Sequence, residues 1–494
     1  MENQRYGMLF TTNNKNTYYY DTATGKVAKT SHEEAMIIQE ILENKISLES
    51  TFKRNKGFEN FVKKENLFKL QEKVPFNIPS VGSLRQFLNG QCAQIILELT
   101  EVCNLRCGYC IYNKHHPNHR GYGTRNMPFE IAKRSLDMVL KDYKRESFFL
   151  TFYGGEPLAN FNLMKQCIEY VKREYNSIQI AVSFTTNLTL LNTEMIKYFN
   201  YLAGENIRVS IMCSIDGPKD IHDRYRRFEN GDGSFDIVIE KFKRLMQEFY
   251  EEGNEFKVLS INGVITPPCE EEKIELLKSF YEDELCLPSS IKYEMGYVDQ
   301  GDMAFDFDKN EKIAEDEIEN VVITQWATNA IFKIDEDALE DKDFNLLINS
   351  ISRIAKREKH PNGEYTRKSL HGNCIPGQRR LYVTVDGEFK PCERVGKCPS
   401  IGNYKNGMDV QSIYEHYIKN YALFYEEKCR LCWAQNLCNA CYTRNMGEYG
   451  VEEKENFCDE IKDECYRSFV NYYDLFENRN SMLKTLVERI EVLT

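Results

Sequence analysis

The stretch AQIILELTEVCNLRCGYC, residues 93–110, joins an apolar run to a loop that carries three cysteines within eight residues, and its reading decides the fold. An apolar run of strand length, bounded by a polar loop, reads as a buried strand. Five similar runs follow: SFFLTFYGG (147–155), QIAVSFTTN (179–187), RVSIMCSIDG (208–217), KVLSINGVIT (257–266) and SSIKYEMGYV (289–298). Between them lie segments such as MPFEIAKRSLDMVLKDY (127–143) and SFDIVIEKFKRLMQEFY (234–250), whose apolar residues recur at roughly 3.6-residue spacing. Six such alternations predict an α/β fold, a parallel sheet of right-handed βαβ units, open or curled into a partial (β/α)6 TIM-like barrel over 89–305. In these folds chemistry sits at the C-terminal strand ends. The polar motifs fall there: CNLRCGYC after the first strand, GGEP after the second, TTN at the end of the third and SIDG at the end of the fourth.

Composition bounds the rest. A chain of 494 residues with 42% hydrophobic content predicts two to four domains with packed cores. The net charge of −12 gives no reason to expect nucleic acid as a partner. There is no apolar run of about 18 residues or more, and MENQRYGMLF lacks the charged and apolar regions of a secretory signal, so neither membrane nor export is expected. A cytoplasmic protein keeps its thiols reduced, and 17 cysteines there point to metal or redox chemistry rather than disulfides. Cys92, Cys167, Cys213, Cys269 and Cys286 read as buried small hydrophobes. The other twelve need a chemical account.

Three thiolates on one short loop hold three irons of a cubane iron–sulfur cluster and leave the fourth open to a ligand. Three cysteines with His115 or His116 would also suit zinc. The C-x3-C-x2-C spacing of Cys103, Cys107 and Cys110, with Tyr109 before the last cysteine, resembles the signature of the radical S-adenosylmethionine (radical SAM) enzymes. The resemblance implies that the open iron chelates the amino and carboxylate groups of SAM, whose one-electron cleavage yields a 5′-deoxyadenosyl radical. Gly154-Gly155-Glu156-Pro157, after Tyr153, resembles the family motif that receives the SAM amino group. Thr185-Thr186-Asn187 resembles the third-strand motif that contacts the ribose or carboxylate. Ser214-Ile215-Asp216-Gly217, followed by HDRYRRFENGDGSFD (222–236), resembles the fourth-strand segment in which a serine and a later arginine hold the carboxylate. That implies Ser214 and Arg226, with Arg227 as the rival.

A second cysteine group runs from Cys374 through Gly387 to Cys392, then C-x2-C-x5-C-x2-C across Cys429, Cys432, Cys438 and Cys441, then Cys458. It resembles the SPASM domain, which carries two auxiliary four-iron clusters, although that pattern has three residues rather than two within the last pair. The resemblance implies one auxiliary cluster on Cys374, Cys392 and Cys441 and another on Cys429, Cys432, Cys438 and Cys458, hence three [4Fe-4S] clusters in all. Cys398 or a substrate thiol would close the open iron, and Cys465 is surplus. Glu393, next to Cys392, is the candidate catalytic base, where related sulfatase-maturating enzymes have aspartate, against a simple ion pair with Arg394.

Residues 1–88 lie outside the barrel. GMLFTT (7–12), NTYYYDT (16–22) and GKVAKTS (25–31) alternate like short antiparallel strands with a turn at ATGK (23–26). SHEEAMIIQEILEN (31–44) reads as a helix with a capping box, Ser31 with Glu34. FENFVKKENLF (58–68) reads as another helix, and VPFNIPSVG (74–82) as a linker. This pattern resembles the winged-helix-like element of peptide maturases, in which a leader peptide adds a strand to the sheet edge. The acidic stretch within 306–370, including DEDALEDKDF (335–344), reads as solvated helix bridging the barrel to a cysteine-rich domain at 371–494.

The expectation is therefore a maturase of a ribosomally made precursor peptide. It resembles the sactipeptide and ranthipeptide synthases, which join a cysteine sulfur to an acceptor carbon, and its implied partners are the leader-bearing peptide and a low-potential flavodoxin- or ferredoxin-type electron donor. Alternatives are carbon–carbon crosslinking, formylglycine formation as in sulfatase maturation, and, from another class, a zinc-binding winged-helix regulator.

Overall fold

The computed structural model describes residues 7–68, 78–266, 271–288, 290–297, 351–360, 374–430, 432–452 and 457–492. Most of the expected acidic bridge, together with Cys269, lies outside them.

The N-terminal runs form the expected antiparallel sheet, β1 (Gly7–Thr11), β2 (Thr17–Asp21) and β3 (Val27–Thr30), in that order. β2 is the middle strand, and both of its faces are covered. Tyr19 stacks on Phe68 beside Phe58 and Val62, while Tyr18 and Tyr20 point the other way and meet Tyr473 and Phe469. Because side chains alternate across a strand, three successive buried tyrosines require apolar partners on both sides. α1 (His32–Leu42) starts with the expected capping box: Ser31 Oγ accepts from the Glu34 N–H at 3.2 Å and the Glu34 carboxylate from the Ser31 N–H at 2.7 Å. α2 (Leu48–Arg54), capped by Ser47, was not anticipated, whereas α3 (Lys56–Glu65) was. α4 (Val81–Leu88) corrects the linker reading over its last residues: Ser80 caps it, and Leu84 and Leu88, one turn apart, are buried. The linker residues 74–77 lie outside the described residues.

All six anticipated core strands are present. β4 (Gln94–Thr100), β5 (Ser147–Gly154), β6 (Gln179–Thr186), β7 (Arg208–Ser214), β8 (Lys257–Ile265) and β9 (Lys292–Tyr297) pair in chain order and in parallel. The crossover segments carry α5 (Phe129–Leu140), α6 (Phe161–Glu174), α7 (Thr193–Gly204), α8 (Lys219–Tyr225) and α9 (Phe235–Glu248). Period-two alternation gives the sheet two different faces. Phe148, Leu150, Phe152, Val182 and Phe184 join the helix-packed core. On the other face Thr151 bonds Ser183 at 2.7 Å and accepts from Gln94 at 2.7 Å, so that face is polar.

The sheet does not stop at β4. β10 (Arg380–Val383) pairs with it in parallel, and β11 (Glu388–Lys390), β12 (Gly402–Asn403) and β13 (Gly407–Met408) continue antiparallel to make ten strands. The cysteine-rich region thus shares a sheet with the barrel instead of following it as a detached unit. Its long helix α10 (Phe457–Asn478) packs Phe469 and Tyr473 onto the N-terminal sheet. The same helix takes Asn13 N–H and Nδ2 on Asp474, at 2.9 and 2.7 Å, and the Tyr18 hydroxyl on Glu477 at 2.7 Å.

Cys92, Cys167 and Cys213 are buried as expected. Cys286 is exposed, which corrects its reading as a core residue: it sits at positive φ in the turn after a helix, where the backbone carries the side chain outward. Among the described residues no helix is long and apolar enough to cross a membrane.

Candidate active site

The motifs converge at the C-terminal ends of β4 to β7. The three-cysteine loop is pinned from both sides. On one, Gly155 N–H donates to Thr100 O and Glu156 N–H to Val102 O, each at 2.8 Å. A Cβ on Gly155 would stand 2.2 Å from Val102 O, and Gly154 has φ +131 with a virtual Cβ 2.3 Å from Thr100 O, so both positions need glycine for close backbone approach. On the other side, Arg106 N–H donates to Arg227 O at 2.7 Å and Gly108 N–H to Tyr225 O at 3.0 Å, which pairs the loop with the segment carrying Arg226.

Cys107 is buried; Cys103 and Cys110 are partly exposed, and their sulfurs accept from the N–H groups of Leu105 at 3.4 Å and Tyr112 at 3.5 Å. Burial pushes the Cys103 thiol up to about 11, with the Glu156 carboxylate adding to it, and Cys107 up to about 12. Such thiols ionise when a metal replaces the proton.

Glu156 is a buried hub. Its carboxylate accepts from Leu158 N–H (3.0 Å), Thr186 Oγ1 (2.7 Å) and Asn187 N–H (2.8 Å), which locks GGEP to TTN. Three of its roughly four acceptor positions are filled, and one is open. Asn187 Nδ2 donates to Asn104 within the cluster loop at 3.1 Å. Ser214 ends β7 and is buried.

The two rival arginines separate cleanly. Arg227 is exposed and bonds Gly231 O at 3.2 Å, whereas Arg226 is buried, donates from Nη1 to the Tyr109 hydroxyl at 2.8 Å and holds its Nε buried without a partner. The Tyr109 hydroxyl donates in turn to Asp216, whose other oxygen accepts from Val264 N–H at 3.1 Å. Burial raises the Asp216 and Glu156 carboxyls above the ordinary range, opposed at both by the Arg226 cation.

The second cysteine group shows two sets of mutual electrostatic neighbours. Cys441 acts electrostatically on both Cys374 and Cys392, while Cys432 and Cys458 both act on Cys438, and Cys429, Cys438 and Cys458 all act on Tyr425. Cys398 meets Tyr417, Lys390 and Glu388 instead, none of them in the first trio. Cys465 is buried and accepts from Arg353 at 3.2 Å.

Glu393 differs from the expected ion pair with Arg394. It accepts from Arg380 at 3.2 Å, and its Oε2 is buried without a partner. Tyr153 is flanked by Glu393, Cys110 and Cys392, whose negative forms add to burial in raising its hydroxyl above the usual tyrosine range.

Sequence reasoning missed several residues here. Glu98 accepts from Arg120 Nε and from Val385 N–H at 3.1 Å, joining the cluster side of the barrel to β10. An acid inside an apolar strand was the available signal, because such a residue must face the polar interior. The Tyr122 hydroxyl is buried beside the Cys110 thiol. Nothing local marked His222 and Ser234.

Among the described residues no three His, Cys, Asp or Glu side chains converge tightly enough for a single metal ion. A cubane meets each thiolate at a different iron, so its cysteines ring the group instead of converging. The residues fit SAM and a cluster: three thiols on one loop, a guanidinium with an orphaned donor, and a carboxylate with an open acceptor position.

The parallel sheet with these motifs at its strand ends is similar to that of radical SAM proteins. Residues 97–279 match the profile of the Radical SAM superfamily. The chain is 29% identical over 208 residues to an uncharacterized protein of Methanocaldococcus jannaschii, covering 38% of this chain and 68% of that one. It is 31% identical over 180 residues to a cysteine-type anaerobic sulfatase-maturating enzyme of Clostridium novyi, covering 34% and 44%. In structure it is similar to native anSMEcpe with bound AdoMet and Cp18Cys peptide: 19% identity, TM-score 0.54, covering 80% of this chain and 99% of that one. The matched stretch is less than half of the Clostridium novyi enzyme. The parallel sheet and the family match leave the zinc-regulator reading without support.

Proposed function

We propose that the chain is a radical SAM maturase that joins a cysteine sulfur of a precursor peptide to a carbon of an acceptor residue. Cys103, Cys107 and Cys110 hold the SAM-binding cluster, Ser214 and Arg226 the SAM carboxylate, and Glu156 with the GGEP backbone its amino group. When bound, SAM and the cluster supply a radical that takes hydrogen from carbon, and the auxiliary clusters on the two sorted cysteine sets take up the remaining electron.

The observation that carries the reading is that Glu393, Cys110 and Cys392 all act electrostatically on the buried Tyr153, so one side chain feels both the three-cysteine loop and the second cysteine group. Glu393 keeps a buried oxygen free of partners, as a base for a substrate thiol requires. Arg380 holds its other oxygen and so fixes the orientation. The auxiliary set closest to Glu393 has three cysteines, and a substrate thiol suits the fourth position, where iron would favour the thiolate. The N-terminal sheet pairs β3 only with β2 among the described residues, which suits addition of a leader-peptide strand at that edge.

The test is incubation of anaerobically reconstituted enzyme, SAM and dithionite with a cysteine-bearing peptide encoded beside the gene. Loss of two hydrogens, with the cysteine no longer open to alkylation, supports the thioether. The likeness to a sulfatase-maturating enzyme favours a second reading, oxidation of a cysteine or serine side chain, and a carbonyl-reactive product would select it.

A further inference from the structure

Asp216 and Arg226 are joined twice. Through their side chains, Arg226 Nη1 donates to the Tyr109 hydroxyl, which donates to Asp216. Through their main chains, the path runs across His222 and Ser234, both fully buried. Asp216 N–H donates to His222 Nδ1 at 3.3 Å, His222 Nε2 lies 3.0 Å from Ser234 Oγ, and Ser234 Oγ donates to Arg226 O at 2.8 Å.

Only one proton arrangement satisfies this chain. Asp216 N–H can only donate, so Nδ1 carries no proton; the neutral ring must then carry it on Nε2 and give it to Ser234, whose own hydrogen is committed to Arg226 O. A protonated imidazole would set two N–H groups against each other at Nδ1. Burial, with Arg226 and Lys219 nearby, pushes the His222 pKa down to about 2, consistent with the neutral form.

We infer that His222, acting through Ser234, is a positioning residue for the SAM site: it fixes the Arg226 main chain against the end of β7, so that the guanidinium holds its unpartnered Nε donor in place. Arg226 stands where α8 ends, at the base of an exposed turn closed by Phe228 N–H to Asp232 O at 2.9 Å. Nothing in that turn alone sets the direction of a long side chain, and a buried two-bond clamp does.

The inference rests on Arg226 belonging to the SAM site and not on the later fate of the peptide. The test is anaerobic equilibrium dialysis of SAM against the full reconstituted chain, as wild type, S234A, R226A, the double variant and H222F, with iron and sulfide content measured on each. We expect S234A to weaken SAM binding about tenfold and R226A about a hundredfold, at unchanged iron content. The double variant should be no weaker than R226A alone, because Ser234 acts through Arg226. H222F should behave like S234A, and if it fails to fold, S234A decides. S234A binding within about twofold of wild type, or a double variant that adds the two losses, overturns the relay. R226A binding like wild type overturns the placement of Arg226 itself.

Discussion

Replacing Gly155 with alanine probes how closely the barrel must approach its cluster loop. A Cβ there would lie 2.2 Å from Val102 O, 2.5 Å from Val102 C and 2.7 Å from Glu101 O, all of them backbone atoms that no rotamer change can move. Reaching even 3.0 Å from Val102 O requires the two segments to part by 0.8 Å. Parting along that direction stretches the 2.8 Å bond from Glu156 N–H to Val102 O to about 3.6 Å, beyond hydrogen-bond reach. Overpacking and the weakened backbone bonds together cost about 2–4 kcal/mol. For a unit the size of the barrel that is a fall in melting temperature of roughly 5–12 °C. Cys103 follows Val102 directly, so the displacement also moves the three-cysteine loop that we propose holds the cluster, and SAM cleavage should fall on the order of a hundredfold. Differential scanning fluorimetry under nitrogen and chromatography of 5′-deoxyadenosine give the two readouts. G204A is the control: Gly204 ends α7 with nothing within 4 Å of its virtual Cβ, so its melting should stay level or rise slightly. G155A that melts and cleaves like wild type would refute the argument from close approach.

Changing Cys103, Cys107 and Cys110 together to alanine should lower iron from about twelve to about eight per chain, with loss of SAM cleavage, whereas C398S should leave the iron unchanged. E393Q should retain cleavage of SAM but lose crosslinking at least tenfold, read by peptide mass; equal loss of both would remove its role as base. His222 is neutral in the fold and ionises near 6.5 when unfolded, so the unfolded state binds the extra proton and stability falls with pH below 6.5. Going from pH 6.5 to about 5.5 should cost about 1 kcal/mol through this residue, and the urea midpoint of H222F should lack that component of the slope. D474A removes both bonds that Asn13 makes to α10, and hydrogen exchange in 7–30 should accelerate while exchange in β5 and β6 does not.

What was legible in the chain was whatever short-range pattern encodes. Alternation and helical spacing marked all six core strands, Ser31 with Glu34 marked the start of α1, and the motifs at strand ends pointed to the candidate site, because periodicity states which face a residue shows. The resemblance favoured Arg226 over its rival Arg227, but no local pattern showed why, since adjacent residues differ in burial only once this segment pairs with the three-cysteine loop. Glu393 meets Arg380 and not its neighbour Arg394 because β10 and the segment after β11 double back on each other. The His222 and Ser234 clamp, the extension of the sheet by β10 to β13 and the docking of the N-terminal sheet on α10 all join residues remote in sequence. The sequence by itself determined the elements, their faces and the chemistry at their ends; only the tertiary structure decided which buried polar groups share partners, because hydrogen bonds between distant segments depend on register and closure that no local pattern carries.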